Sequence, residues 1–190
     1  MRLFVAVNLP EHERRAAFDA TAPLRDGELP VKWVQPAGLH VTMKFLGDVP
    51  EDRAALIGAA LDAAVRAVRP FEVLLGGIGA FPSAARPRVI WLGVEIHPAL
   101  ELLANDVEKA LGPFGFEAEL RPFRPHITIG RAKQGEGARP GRFAAFERLA
   151  AGVSYAGIAA VASVDLMESI LRLEGAEYDV RHQSFLGGGQ

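Results

Sequence analysis

The sequence has 190 residues, enough for one substantial core or two small intertwined lobes. Its 49% apolar and 23% charged residues are ordinary for a globular protein, which excludes extensive disorder, and its apolar runs are far too short to cross a bilayer. A net charge of −2 argues against a general nucleic-acid binder, and the absence of cysteine removes disulfides, thiol nucleophiles and cysteine metal ligands.

In chain order, the first strand signal is Leu3–Asn8, a β-rich run closed by Pro10. The run turns polar at Asn8, unlike an export signal, and with the lack of cysteine this points to a cytoplasmic protein. A helix over Glu11–Ala22 follows, then a proline-containing approach to a strand over Leu39–Phe45. The next helix, Glu51–Val68, carries an apolar stripe that includes Ile57, Leu61 and Val65. Strands are expected over Phe71–Leu75 with Ile78–Phe81, and over Val89–Ile96. A helix over Pro98–Leu111 stops at Gly112-Pro113. The remaining signals are strands at His126–Ile129, Ala159–Glu168 and Tyr178–Val180, and a helix at Arg142–Leu149. Between them, Gln134 to Gly141 reads as a surface loop.

These elements repeat in order. Phe4 precedes His40 by 36 residues and Trp91 precedes His126 by 35, each pair spanning strand, helix, proline-rich approach and a His-x-Thr strand. The repeat predicts an α+β, bilobal fold with pseudo-twofold symmetry, in which two antiparallel sheets line a central cleft with helices outside. Residues 1–190 are expected to form one two-lobed domain, each lobe carrying one motif.

The motifs are His40-Val41-Thr42 and His126-Ile127-Thr128. The chain holds only three threonines and five histidines, and two of the threonines stand two places after a histidine. Random placement gives that coincidence with a probability of roughly two in a thousand, whereas one such motif would carry no claim. In a strand, residues i and i+2 share a face. His40 therefore emerges with Thr42, and His126 with Thr128, while Val41 and Ile127 point into the core. Imidazoles move protons near neutral pH, and hydroxyls can hold phosphoryl oxygens, so the set needs neither metal nor covalent intermediate. Metal binding is the rival chemistry, but two imidazoles fall short of a zinc set and no carboxylate sits at ligand spacing within either motif.

Other candidates surround the motifs. Arg131 ends the second motif strand, where its guanidinium can reach a phosphate. It belongs to a local basic excess, Arg121, Arg124, Arg131, Lys133, Arg139 and Arg142 against Glu136, that suits an anionic ligand or a solvated loop. Lys44 continues the His40–Thr42 face as either a matching cation or a solvated strand end. Phe4, Phe45 and Phe123 read equally as core or as stacking platforms. His12, His97 and His182 read as surface residues.

At Met1–Val7, Val31–Val34, Leu39–Gly47, Phe81-Pro82, Arg88–Gly93, Pro122–Arg131, Leu166–Ser169 and Gly175–Tyr178, the chain resembles the RNA 2′,3′-cyclic phosphodiesterase (2′–5′ RNA ligase-like) family of the two-histidine phosphoesterase superfamily. Met43 and Gly130 depart from its usual residues. The resemblance implies metal-independent, cofactor-free hydrolysis of the 2′,3′-cyclic phosphate on RNA 3′ ends or nucleotides to a 2′-phosphomonoester, with a reverse-type reaction joining ends through 2′–5′ bonds. It implies His40 as the acid protonating the departing 3′ oxygen and His126 as the base activating water. Thr42, Thr128 and Arg131 would hold the phosphate. The acid and base roles come from the resemblance, since the spacing is symmetric. A monomer suffices for such a cleft, and no membrane partner is implied. The alternative is a non-catalytic nucleotide- or RNA-binding module using the same cleft.

Overall fold

The structure, a computed structural model, describes residues 1–172 and 175–188. Its elements are β1 (Arg2–Asn8), α1 (Glu11–Ala20), α2 (Ala22–Asp26), β2 (Val31–Trp33), β3 (His40–Asp48), α3 (Ala54–Val65), β4 (Phe71–Phe81), β5 (Val89–Val94), α4 (Pro98–Leu111), β6 (His126–Ala132), α5 (Phe146–Ala151), β7 (Ala156–Val161), β8 (Ser163–Arg172) and β9 (Gly175–Phe185). Among the described residues, no helix is long and apolar enough to cross a membrane.

All strand pairs are antiparallel, in the order β7-β4-β5-β6-β3-β1-β8-β9, with β2 added to β6. Outward from the centre, β3-β1-β8-β9 repeats the layout of β6-β5-β4-β7, which is the expected pseudo-twofold. The two expected sheets are halves of one sheet, joined between β3 and β6 by the single pair Val41–Ile127. Beyond that pair β3 leaves β6, and β2 takes its place along Gly130–Ala132.

One face of the sheet is the core. Val5, Val7, Val41, Ile90, Leu92 and Ile127 point into it and meet Ile57, Leu61 and Val65 of α3 and Leu100, Leu103, Val107 and Leu111 of α4. The apolar stripes read from the sequence are thus the buried faces of these helices. On the opposite face a small second cluster forms from Phe4, Ala6 and Met167, with Tyr178 packed against it.

Local chemistry explains where sequence and structure part. Helix α1 stops before Thr21, whose buried hydroxyl donates to the Ala17 and Phe18 carbonyls, with Pro23 just beyond. His97 is a cap: its Nδ1 accepts from the Ala99 amide at 3.1 Å. His182 packs between β9 and α3, 2.9 Å from Asp62. The expected strand Ala159–Glu168 is the end of β7 and the start of β8, interrupted at Ala162. No glycine or proline marks that break, yet β7 pairs with β4 in one half and β8 with β1 in the other. Strand β2 was read as approach, being only three residues between prolines.

Each motif strand carries a bulge after its threonine. Between β1 and β3 the register runs Ala6–Thr42 then Val5–Lys44, which leaves Met43 extra. Between β5 and β6 it runs Trp91–Thr128 then Ile90–Gly130, which leaves Ile129 extra. The bulge overturns strict alternation for Lys44: it lies on the core face, only 5% exposed, and its Nζ donates to Glu108 Oε2 and the Glu117 carbonyl, both at 2.7 Å. It is neither a cleft cation nor a solvated strand end. At its counterpart Gly130, a Cβ would lie 2.6 Å from Val31 and 2.7 Å from Trp33, so β2 occupies the space that Lys44 fills in the other half.

Removing one partner of a buried pair strands the other. Lys44→Met is expected to lower stability by about 1–3 kcal/mol, below the fully buried range because the Glu108 side chain keeps 22% exposure. Urea unfolding should show a lower midpoint at unchanged slope, and Glu108→Leu added to Lys44→Met should recover much of the loss.

Candidate active site

The Val41–Ile127 pair sets the site. Both side chains are buried in the core, so by strand alternation the residues on either side of each face the other way. The antiparallel register then sets His40 beside Thr128 and Thr42 beside His126. All four are half-buried, and among the described residues no hydrogen bond occupies either threonine hydroxyl. The structure thus brings together both expected motifs on one face.

The two imidazoles have different surroundings. The His40 ring lies 5.0 Å from Phe4 and meets Tyr178 edge-on at 5.1 Å. This apolar enclosure depresses its pKa to about 4; the Gly38 carbonyl opposes the shift, while the charges of Arg131 and His126 add to it. His126 meets Phe81 edge-on at 5.1 Å, and Phe81 packs on Trp91 at 5.3 Å. Its Nδ1 lies 2.7 Å from the Arg124 carbonyl. A carbonyl can only accept, so Nδ1 carries the hydrogen and Nε2 is left toward the cleft.

The same bulges place the outer residues. Phe45 and Arg131 hold equivalent positions, paired with Phe4 and Val89 respectively, and both return to the site face. Arg131 is exposed beside the motif, as expected, and its charge reaches His40. Phe45 is 72% exposed and 6.2 Å from Phe4, so it is not core, whereas Phe4 is buried beneath His40. Phe123 is half-buried against the main core. The basic excess is smaller than it reads: Glu136 pairs with Arg139 and Arg142, while Arg121 and Arg124 stay exposed just before His126. Phe81 and Tyr178 frame the histidines, and the sequence alone assigns them no role. Their tertiary position is the missing information, since neither lies at motif spacing.

No group of three or more His, Cys, Asp or Glu side chains gathers as a metal site among the described residues. Two His-x-Thr strands abutting across a pseudo-twofold define a two-histidine phosphoesterase. A model of the 2′-5′ RNA ligase superfamily matches residues 13–168, and the chain belongs to that family. It is 39% identical over 134 residues to the RNA 2′,3′-cyclic phosphodiesterase of Archaeoglobus fulgidus, covering 70% of this chain and 74% of that one. It is 37% identical over 158 residues to the enzyme of the same name from Aeropyrum pernix, covering 82% and 86%. Among solved structures, a Thermus thermophilus protein superposes with a TM-score of 0.78 at 30% identity over 100% of both chains. Escherichia coli LigT in complex with 3′-AMP superposes with a TM-score of 0.72 at 26% identity over 97% of both.

The depressed His40 pKa has a definite sign for stability. The fold favours neutral imidazole, so this contribution is complete above pH 6.5 and is lost as pH falls toward about 4. Denaturant unfolding of the wild type should weaken more steeply across that window than unfolding of His40→Asn. In the free protein, the NMR titration of the His40 ring should have its midpoint near pH 4.

Proposed function

We propose that this protein hydrolyses 2′,3′-cyclic phosphate on RNA 3′ ends and nucleotides to 2′-phosphomonoesters by acid–base catalysis between His40 and His126. The observation that carries the reading is the meeting of both His-x-Thr motifs on one face, with unoccupied hydroxyls and Arg131 alongside. The names of the Archaeoglobus and Aeropyrum relatives support the substrate.

In this reading the cyclic phosphate sits between the motifs. Thr42 and Thr128 donate to its non-bridging oxygens, and Arg131 supplies a cation. His126 Nε2 takes a proton from water, the water oxygen attacks phosphorus, and the P–O3′ bond breaks as His40 protonates the departing oxygen. The phosphate stays on O2′. With the hydroxyl of another RNA end in place of water, the same bond changes give a 2′–5′ linkage.

His40 is neutral in the empty cleft at pH 7, so a donor role requires substrate to load it. The phosphate anion does this: burial is what chiefly holds the pKa down, and an opposite charge beside the ring favours the imidazolium and offsets Arg131. Once loaded, the imidazolium gives its proton to the leaving alkoxide. The exposed Phe45 ring supports base stacking, and exposed Arg121 and Arg124 support contacts with upstream phosphates. All groups of the site come from one chain, which supports a monomer of one two-lobed domain; the absence of cysteine supports a place in the cytoplasm.

Replacing either histidine by Ala should lower kcat by roughly 10²–10⁴, the usual worth of general acid–base catalysis. Thr42→Ala and Thr128→Ala should cost less, and activity should persist in EDTA. Turnover of cyclic-phosphate-ended RNA, with the monoester identified, tests the reading. Undiminished activity in the His40→Ala, His126→Ala double variant would sink it.

A further inference from the structure

Beside His40 lies a polar group that the reaction above does not use. Asn8, at the end of β1, is paired directly with His40 across the β1/β3 ladder. Its Nδ2 donates to Asp165 Oδ2 at 2.6 Å and points to Met167 Sδ at 3.3 Å. Asp165 is 1% exposed, and among the described residues no cation pairs with it. Its other oxygen accepts from Ser163 Oγ at 2.9 Å, and Gln183 donates to that hydroxyl at 3.2 Å. Burying a carboxylate on neutral donors alone is costly, and a pair of apolar residues would tie β8 to β1 at lower cost. What the carboxylate does achieve is orientation. Only the amide nitrogen of Asn8 can face an acceptor, so the amide oxygen is turned away from Asp165, and no hydrogen bond among the described residues occupies it.

The other half lacks this device. The residue paired with His126 is Gly93, where the Gly76 carbonyl stands where a Cβ would be. The polar acceptor is therefore confined to the histidine that serves the leaving oxygen in the reaction proposed above.

We propose that Asn8 is a substrate-contacting specificity residue: its amide oxygen, held outward by Asp165, accepts a hydrogen bond from the ribose 3′-hydroxyl as that group is released. The contact forms only after the P–O3′ bond breaks and the oxygen has its proton, so it favours the 2′-phosphomonoester product. In end-joining it would be made only once the bond to O3′ has broken. Asp165 acts through Asn8 as a positioning residue. The inference rests on the assignment of His40 to the 3′ oxygen.

Binding separates this contact from catalysis. Affinities of adenosine 2′-monophosphate and 3′-deoxyadenosine 2′-monophosphate are compared by calorimetry on the wild type, Asn8→Ala and Asp165→Asn. The wild type should prefer the 3′-hydroxyl ligand by roughly five- to tenfold, the worth of one neutral hydrogen bond. Asn8→Ala should erase the preference by weakening the hydroxyl ligand alone, and Asp165→Asn should reduce it. The wild-type comparison needs no variant to fold, and a thermal melt qualifies each variant that is used. Equal affinity of the two ligands for the wild type, or an equal loss of both in a folded Asn8→Ala, overturns the contact even when turnover yields the 2′-monoester. Turnover to a 3′-monoester overturns the reaction as written, and the Asn8 contact with it.

Discussion

Val41 and Ile127 are the one pair through which β3 and β6 meet, and the rest of the site hangs on it. Both are β-branched and buried in the core, so their pairing joins two half-sheets with apolar contact. The face they occupy decides the face their neighbours occupy. A slip of one residue in either strand would turn that strand's His and Thr into the core and bring its Val41 or Ile127 to the surface. Burial of these two side chains is thus what specifies that four polar groups converge. A longer ladder would close the space between the strands, and the departure of β3 after a single pair, with β2 replacing it along β6, keeps that space open.

Pseudo-symmetry places two identical motifs, yet hydrolysis of a cyclic ester needs a donor and an acceptor that differ. The difference is built around the motifs. At equivalent places the halves carry Phe45 and Arg131, Ala6 and Trp91, Asn8 and Gly93. The paired bulges are what bring Phe45 and Arg131 back to the site face, one offering a π surface and the other a charge. On the core side the same bulges give Lys44 and Gly130, one reaching α4 and the other making room for Trp33. One sequence offset thereby yields a cleft with distinct ends.

The motifs, their shared face and the two-lobed repeat were legible because they rest on local rules: rarity of threonine, period-two alternation and element order. Thr21 sharpens that logic, since the threonine outside the motifs terminates a helix. What was illegible depended on a partner strand. A bulge is a mismatch between two strands, so period-two alternation alone puts Lys44 on the motif face and cannot divide core from surface for Phe45. The repeat was also aligned two residues out, with Trp91 matched to Phe4 where the ladder matches it to Ala6. Tyr178 and Asp165 reach the His40 region from β9 and β8, more than a hundred residues along the chain from it, and no spacing rule connects them.

The apolar surroundings of His40 make sense only with the charge that arrives. Phe4 and Tyr178 strip water from the ring, and Arg131 and His126 add positive potential, so the free protein keeps His40 neutral. An entering anion opposes those influences. A low local dielectric strengthens the attraction between imidazolium and phosphate, and the same Arg131 charge then draws the anion toward the ring. In the proposed reaction the proton is taken up together with the substrate and held where the departing oxygen can remove it. A solvated histidine at the same position would be partly protonated near neutral pH with or without substrate. In the proposed reaction, enclosure by aromatic rings converts a general-purpose imidazole into one whose charge state follows occupancy of the cleft.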